Sequence, residues 1–458
     1  ARSVAAVLTM AADRRDFEFQ RLHGMGESLY KSLAEVSEAP VRVYAPVGPH
    51  RDLLAYLVRR LIENGANSSF VARAADPDKP ESALVVDPYE AIGASERARH
   101  PRLPLPSEIY SPLRANSKGV EFGDRTALAA LIEETRAPFP LATARPSVAT
   151  RAAARAVLSP IDGAVVGEVT EADETAAHAA IAAAARALPA WALTPFELRA
   201  QMIERAADLI EAKRGPIIAL LQSEGGKTLD DALAEVREAA DLCRYYAGQA
   251  RIVCADTPLP GPTGEANVLR RHGRGVFVCI SPWNFPLAIF IGQIAAALVA
   301  GNAVVAKPAE QTPLVAAMAI ALLREAGVSN DALQFVPGDG AIGAALVADP
   351  LTAGVVFTGS VEVAHRINRT LAERNGAIAP LIAETGGINA MIVDSTALIE
   401  QVVDDVLTSA FRSAGQRCSA LRLLCLQEEI APVCLKTLIG AARELHVGDP
   451  REIGTHVG

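Results

Sequence analysis

The chain has 458 residues, 50% of them apolar and 21% charged, well above the size at which a single core becomes marginal, so two or three domains are expected. A net charge of −9 with no Lys/Arg-rich run lacks the basic footprint of a nucleic-acid binder, and no nucleic-acid partner is expected for this stretch. Six cysteines (Cys243, Cys254, Cys279, Cys418, Cys425 and Cys434) form no CxxC pair and no Cys/His zinc spacing, which predicts reduced thiols, no metal site and a cytoplasmic protein.

Residues 1–10 carry one Arg and no cleavage pattern, so no signal peptide is expected, and both ends read as cut from something longer. From Val41 to Val71 the order is apolar VRVYAPVG, amphipathic HRDLLAYLVRRLIENGA, then SSFV, a βαβ rhythm that suits a parallel sheet or barrel. Residues from about Ala74 to Pro146 are irregular and proline-rich, with helical periodicity only over Arg125 to Thr135, and read as a connector. Glu171 to Gln249 is alanine-rich with helical spacing, broken at Gly215-Pro216 and Gly225-Gly226. After Gly273 buried strands alternate with helices, which predicts a doubly wound parallel sheet. The uncharged run from Pro282 to Ala306 is interrupted by Asn284, Gln293, Gly301 and Asn302, and reads as buried helix, turn and buried strand, not a membrane span.

Two phosphate motifs need testing against that sheet. Gly226-Lys227-Thr228 ends like a P-loop, but Leu221 stands where the loop needs its first glycine and the surroundings are helical. Gly338 to Gly343 matches GxGxxG between a strand and a helix, yet it falls late in the domain, and a glycine-rich helix entry explains it as well.

A set of polar residues placed just after buried strands, where open α/β sheets bind ligands, is more informative. Ile280 to Pro286 puts Asn284 between two prolines that stiffen its loop. Lys307 and Glu310 follow the next strand in KPAEQTP, Phe357 to Ser360 ends another as FTGS, and Glu384 to Gly387 ends a further one as ETGG. Cys418 lies in SAGQRCSA, whose small residues leave room for a substrate. Singly, each has a bland explanation: a buried cysteine, a solvated lysine, a loop-bracing asparagine, an acidic helix start. Their order and spacing together are far more specific.

In these motifs, PWNFP, KPxEQTP, FTGS, ETGG and GQRC, the stretch from about Ser159 to Gly458 resembles the aldehyde dehydrogenase superfamily. Residues FEFQRLHGMGE, VYAPVG and YLVRRLIENGANSSFV resemble the closing strands and helices of a proline dehydrogenase barrel. The two joined by a proline-rich connector resemble the bifunctional proline utilization A flavoenzymes, which oxidise proline to glutamate. The resemblance implies an incomplete (β/α)8-type barrel end at 1–75, a connector at 76–150, an NAD-binding domain with N-terminal helices at 151–383, and the start of a catalytic domain at 384–458.

It also implies roles. Cys418 is expected as the nucleophile, Asn284 with the Cys418 backbone N–H as oxyanion donors, and Glu384 as the base that hydrolyses the thioester. NAD is expected against Ser281, Pro282 and Trp283, with Lys307 and Glu310 on the adenosine ribose, Gly359 and Ser360 near the pyrophosphate, and Gly386 close by. The Glu310 carboxylate would repel a 2′-phosphate and so favours NAD over NADP. In the barrel part Tyr44, Tyr56, Arg59 and Arg60 are expected to line the proline site, Glu63 to support the arginines, and Phe70 to touch FAD. Proline and 1-pyrroline-5-carboxylate or its open form, glutamate semialdehyde, are the implied substrates. A quinone acceptor for the flavin, a peripheral membrane contact through that half and a homo-oligomer are implied as well. An aldehyde dehydrogenase for another aldehyde, or a non-catalytic scaffold of the same fold, are the alternatives.

Overall fold

A computed structural model describes residues 2–65, 76–84, 86–87, 89–90, 93, 100, 102–136 and 142–458. They fall into two compact units, 1–103 and 104–458.

The first unit contains helix α1 (Arg2–Ala11), strand β1 (Phe19–Leu22), α2 (Glu27–Val36), β2 (Val41–Tyr44) and α3 (His50–Gly65). β1 and β2 pair in parallel, with Phe19 opposite Val41 and Leu22 opposite Tyr44, so β1-α2-β2 is a βαβ unit of the kind barrels repeat. Phe19 and Leu33 are its buried apolar side chains among the described residues. The expected strand SSFV, with Phe70, and the side chain of Glu63 lie outside the described residues.

In the second unit a short 3-10 turn (Pro106–Glu108) precedes α4 (Arg125–Arg136), which lies close to the one helix expected in the connector. A three-stranded sheet follows, β3 (Ala142–Ala144), β4 (Ala154–Leu158) and β5 (Val165–Thr170), in the order β3-β5-β4. Four helices come next: α5 (Glu174–Leu193), α6 (Phe196–Ala212), α7 (Arg214–Gly225) and α8 (Leu229–Val253). The first break expected in this run is corrected. It falls at Lys213, and Gly215-Pro216 sit inside the first turn of α7, where a proline removes no intrahelical hydrogen bond. A further break at Thr194-Pro195 separates α5 from α6. Gly226 ends α7 in the left-handed region, at φ 65°, and Thr228 caps α8, so Gly226-Lys227-Thr228 is a helix junction and not a phosphate loop.

A short hairpin, β6 (Thr257–Leu259) with β7 (Asn267–Leu269), precedes the main sheet. That sheet alternates β8 (Val276–Ile280), α9 (Ala288–Val299), β9 (Ala303–Lys307), α10 (Pro313–Glu325), β10 (Leu333–Phe335), α11 (Gly340–Ala348), β11 (Thr352–Gly359), α12 (Val361–Glu373) and β12 (Leu381–Thr385). All its pairs are parallel, in the order β10-β9-β8-β11-β12. Both faces are covered, as parallel strands require. Phe277, Cys279, Val304 and Ala306 enter the core shared with α6 to α10, while Val276, Val278, Ala303 and Val305 enter the one shared with α5, α11 and α12. The uncharged run thus becomes buried α9, a turn at Gly301 (φ 93°) and buried β9.

The last part is a smaller βαβ unit. β13 (Asn389–Val393) and β14 (Leu421–Leu426) pair in parallel, joined through α13 (Ile399–Phe411), and α14 (Ala431–Arg443) follows. Its core cluster is small: Val393, Val402, Val406, Leu421 and Cys434.

Candidate active site

The strand order places a switch point in the sheet. From β8 the chain moves outward through β9 to β10, then α11 returns it to β11 on the other side of β8. At such a point the loops after the two adjacent strands diverge and leave a crevice at their C-terminal ends. The residues expected to bind ligand lie at the ends of these strands and of their neighbours β9 and β12. Ser281 to Asn284 follow β8, Lys307 ends β9 in register with Ile280, Gly359 and Ser360 close β11, and Glu384 on β12 pairs with Thr358. The GxGxxG motif follows the edge strand β10 instead. There Asp339 caps α11 by accepting from Ala341 and Ile342 N–H at 2.9 and 3.2 Å, which is the helix-entry role.

The nucleotide side of the crevice holds an unusual amount of buried polarity. The Ser281 backbone N–H donates to the Lys307 carbonyl at 3.2 Å, but its buried Oγ has no hydrogen-bond partner among the described residues. Lys307 is itself buried and donates to the Pro308 carbonyl at 3.0 Å, which among the described residues leaves two ammonium protons to place. Burial pulls its pKa below the ordinary lysine value, against Glu310, Asp339 and Glu171, which push it back up. Glu310 is exposed beside it, Pro282 is half-buried, and Trp283 is 41% exposed. Ser360 caps α12 by accepting from Val363 N–H at 3.2 Å. A Cβ at Gly359 would meet the Phe357 ring at 2.5 Å, whereas one at Gly386 would meet nothing within 4 Å. An orphaned hydroxyl, an underused ammonium, an exposed carboxylate and a helix N-terminus together fit a hydroxylated, anionic ligand such as NAD.

Cys418 and Cys425 are the exposed thiols among the described residues, and Cys418 is the one in the GQRC motif. Burial pushes the Cys243 thiol up to about 12 and that of Cys279 higher still, so neither supplies thiolate at neutral pH. Cys418 is exposed, on the loop between α13 and β14. Asparagine amides brace that loop from both sides. Asn284 Nδ2 donates to the Gln416 carbonyl at 2.6 Å, which ties the β8 loop to the Cys418 loop with one of its two amide protons. Asn389 Nδ2 donates to the carbonyls of Cys418 and Ala420 at 2.7 and 2.9 Å. Glu384 is exposed near the end of β12. Burial first, then Tyr245 and the Glu384 charge, push the Tyr246 phenol above its ordinary value, which locates α8 beside that carboxylate.

Two acidic residues that the sequence reading passed over anchor the helices behind these loops. Glu224 accepts from Leu314 and Val315 N–H at 2.7 and 2.8 Å, at the start of α10. Burial pushes it up to about 8, against those two N–H groups. Glu235 accepts from Leu287 and Ala288 N–H at 2.8 and 3.2 Å, at the start of α9, and pairs with buried Lys227 at 2.8 Å. Their signal in the sequence is an acidic residue at a position that helical spacing assigns to the core. Asn389, two residues after ETGG, carries no such signal.

In the first unit Tyr44 ends β2 and is half-exposed, while Tyr56, Arg59 and Arg60 share successive turns of α3. The Arg60 guanidinium lies 5.2 Å from the Tyr56 ring centre, and Arg59 is exposed.

The switch-point crevice, the PWNFP loop and the exposed cysteine define the class, and the chain belongs to the aldehyde dehydrogenase family, whose model matches residues 148–458. Residues 1–73 match the proline dehydrogenase family model. The chain is 48% identical to the bifunctional protein PutA of Escherichia coli K12 over 481 residues, covering 100% of this chain and 36% of that protein. It is 58% identical to a crystal structure of a bifunctional proline utilization A (PutA) protein, with a TM-score of 0.80, covering 100% of this chain and 44% of that one. A 1-pyrroline-5-carboxylate dehydrogenase from Thermus, solved with bound NAD, is 32% identical with a TM-score of 0.70, over 75% of this chain and 69% of that one. The chain therefore spans about a third of the length of the curated bifunctional relatives it matches.

Proposed function

We propose that the full-length protein carries out proline catabolism, and that its aldehyde dehydrogenase part oxidises L-glutamate γ-semialdehyde, the open form of 1-pyrroline-5-carboxylate, to L-glutamate with NAD. The observation that carries this reading is the Asn284–Gln416 bond, which brings an oxyanion donor from the sheet onto the loop of an exposed cysteine. Cys418 attacks the aldehyde carbon through its thiolate, forming a C–S bond and an alkoxide. The free Asn284 amide proton and the Cys418 backbone N–H donate to that alkoxide. When bound, NAD supplies the two-electron acceptor that turns this adduct into a thioester. Glu384 then takes a proton from the water that attacks the thioester carbon, and the Cys418 thiolate leaves with glutamate released.

Lys307 and Glu310 bracket the adenosine ribose hydroxyls, and the Glu310 charge disfavours a 2′-phosphate. Ser281, Pro282 and Trp283 after β8, Gly359 and Ser360 at the end of β11, and Gly386 after β12 complete the proposed NAD site. For the first unit we infer a proline site from Tyr44, Tyr56, Arg59 and Arg60 with support from Glu63. There the guanidiniums would take the amino-acid carboxylate, Phe70 is the expected FAD contact, and a quinone would be the final acceptor. The domain division at 75, 150 and 383, a homo-oligomer and a cytoplasmic location with peripheral membrane contact belong to the same reading. The test is NADH formation from glutamate semialdehyde by the full-length protein and by its Cys418→Ala variant. Turnover retained by that variant sinks the assignment.

A further inference from the structure

We propose that Asp231, in the first turn of α8, is the positioning residue that holds the Cys418 loop in its reactive pose, an inference that rests on Cys418 being the nucleophile. The side chain is 2% exposed, and its two oxygens take donors from the one loop that separates α13 from β14. Oδ1 accepts from Arg412 Nε at 2.7 Å and from Arg417 Nη2 at 2.6 Å, and Oδ2 accepts from the Ser413 backbone N–H at 3.1 Å. One carboxylate thus grips both ends of the segment 412–417, and Cys418 is the next residue.

The gripped segment is strained. Ser413 and Ala414 sit at φ 53° and 54°, ahead of Gly415 at φ 67°, and the first two have a Cβ that the left-handed region disfavours. Such a backbone persists where its surroundings over-determine it. Asn284, Asn389 and Arg422 hold carbonyls at Gln416, Cys418, Ala420 and Gly415. Asp231 supplies the complementary acceptor for the N–H and the two guanidiniums at 412, 413 and 417. Freed from it, the segment can relax toward ordinary φ values, and that displacement moves the Cys418 thiol and backbone N–H relative to Asn284. An amide cannot replace the carboxylate here. It has one acceptor oxygen, so its NH2 faces either the guanidiniums or the Ser413 N–H.

The test uses the full-length protein and two variants, Asp231→Asn and Arg412→Met, the second removing a partner on the partly exposed side of the grip. The alkylation rate of Cys418 by iodoacetamide, NAD affinity, and kcat and KM for the semialdehyde are measured per titrated thiol in folded protein. Asp231→Asn is expected to lower kcat by roughly tenfold to a hundredfold, as ångström-scale misplacement of a reacting group does. The alkylation rate falls with it while NAD affinity holds, and Arg412→Met shows the same pattern more weakly. A purely structural role lowers the melting temperature of both variants and leaves kcat and alkylation per thiol unchanged, and that result overturns the proposal. An inactive Cys418→Ala enzyme beside fully active Asp231→Asn and Arg412→Met enzymes rejects the positioning role alone. A Cys418→Ala enzyme that still forms NADH rejects the nucleophile reading, and this inference with it.

Discussion

The five-stranded sheet and the two-stranded β13–β14 sheet are both parallel, yet they hold their working residues by different means. β8 and β9 are buried on both faces, so Ser281 and Lys307 at their ends inherit rigidity from packing. β13 and β14 leave Ile392 83% and Leu423 49% exposed, above a core cluster of five buried residues. The loop between α13 and β14 is fixed by directional polar ties instead: Asp231, Asn284, Asn389 and Arg422. The five-stranded sheet positions its strand-end residues by close packing, and the Cys418 loop is positioned by hydrogen bonds to its neighbours.

This contrast can be broken in order of effect. Cys418→Ala should abolish NADH formation in the full-length protein while NAD affinity persists, since in the proposed mechanism the thiolate bonds to substrate and the dinucleotide binds the other half. Loss of NAD affinity with the thiol would join the two halves into one device. Glu384→Gln should slow turnover by roughly a hundredfold or more, because an amide cannot accept the proton of the attacking water. Rapid quench should then trap an acyl-enzyme, and finding none under turnover counts against that role.

Ile294→Ala, in the core behind β8, should cost about 2–5 kcal/mol in denaturant unfolding and loosen NAD binding with it. A stability loss without any change in NAD affinity contradicts positioning by packing. Asp231 gives the polar counterpart. Burial works to raise its carboxyl, but Arg412 and Arg417 outweigh it and hold it below the ordinary aspartate value. A carboxyl lowered by folding contributes stability above its unfolded value and loses it as pH falls through the folded one. The melting-temperature gap between the native protein and Asp231→Asn should therefore be widest near neutrality and close below about pH 4. A gap that ignores pH removes the ion pairs from the account. The smallest effect is expected of Glu310→Gln, a modest rise in NADP use relative to NAD in steady-state assays. No change there leaves the cofactor preference to other residues.

Much of this molecule was legible in the chain itself, because the signals are local. Runs such as VFVCI and AVVA are apolar throughout since both faces of a parallel strand are covered, and Asn284, Lys307, Ser360 and Glu384 stand out as polar residues where such strands end. The break near Gly215-Pro216 was misplaced because a proline reads as a helix breaker, whereas at the first turn it is harmless. Which thiols are exposed, which residues meet across the switch point, and that Asp231 grips a loop more than 180 residues away were decided by tertiary structure alone. Hydrophobic period and turn chemistry are properties of neighbours along the chain. A buried carboxylate on a helix reads as a misplaced charge until the fold brings its two arginines to it.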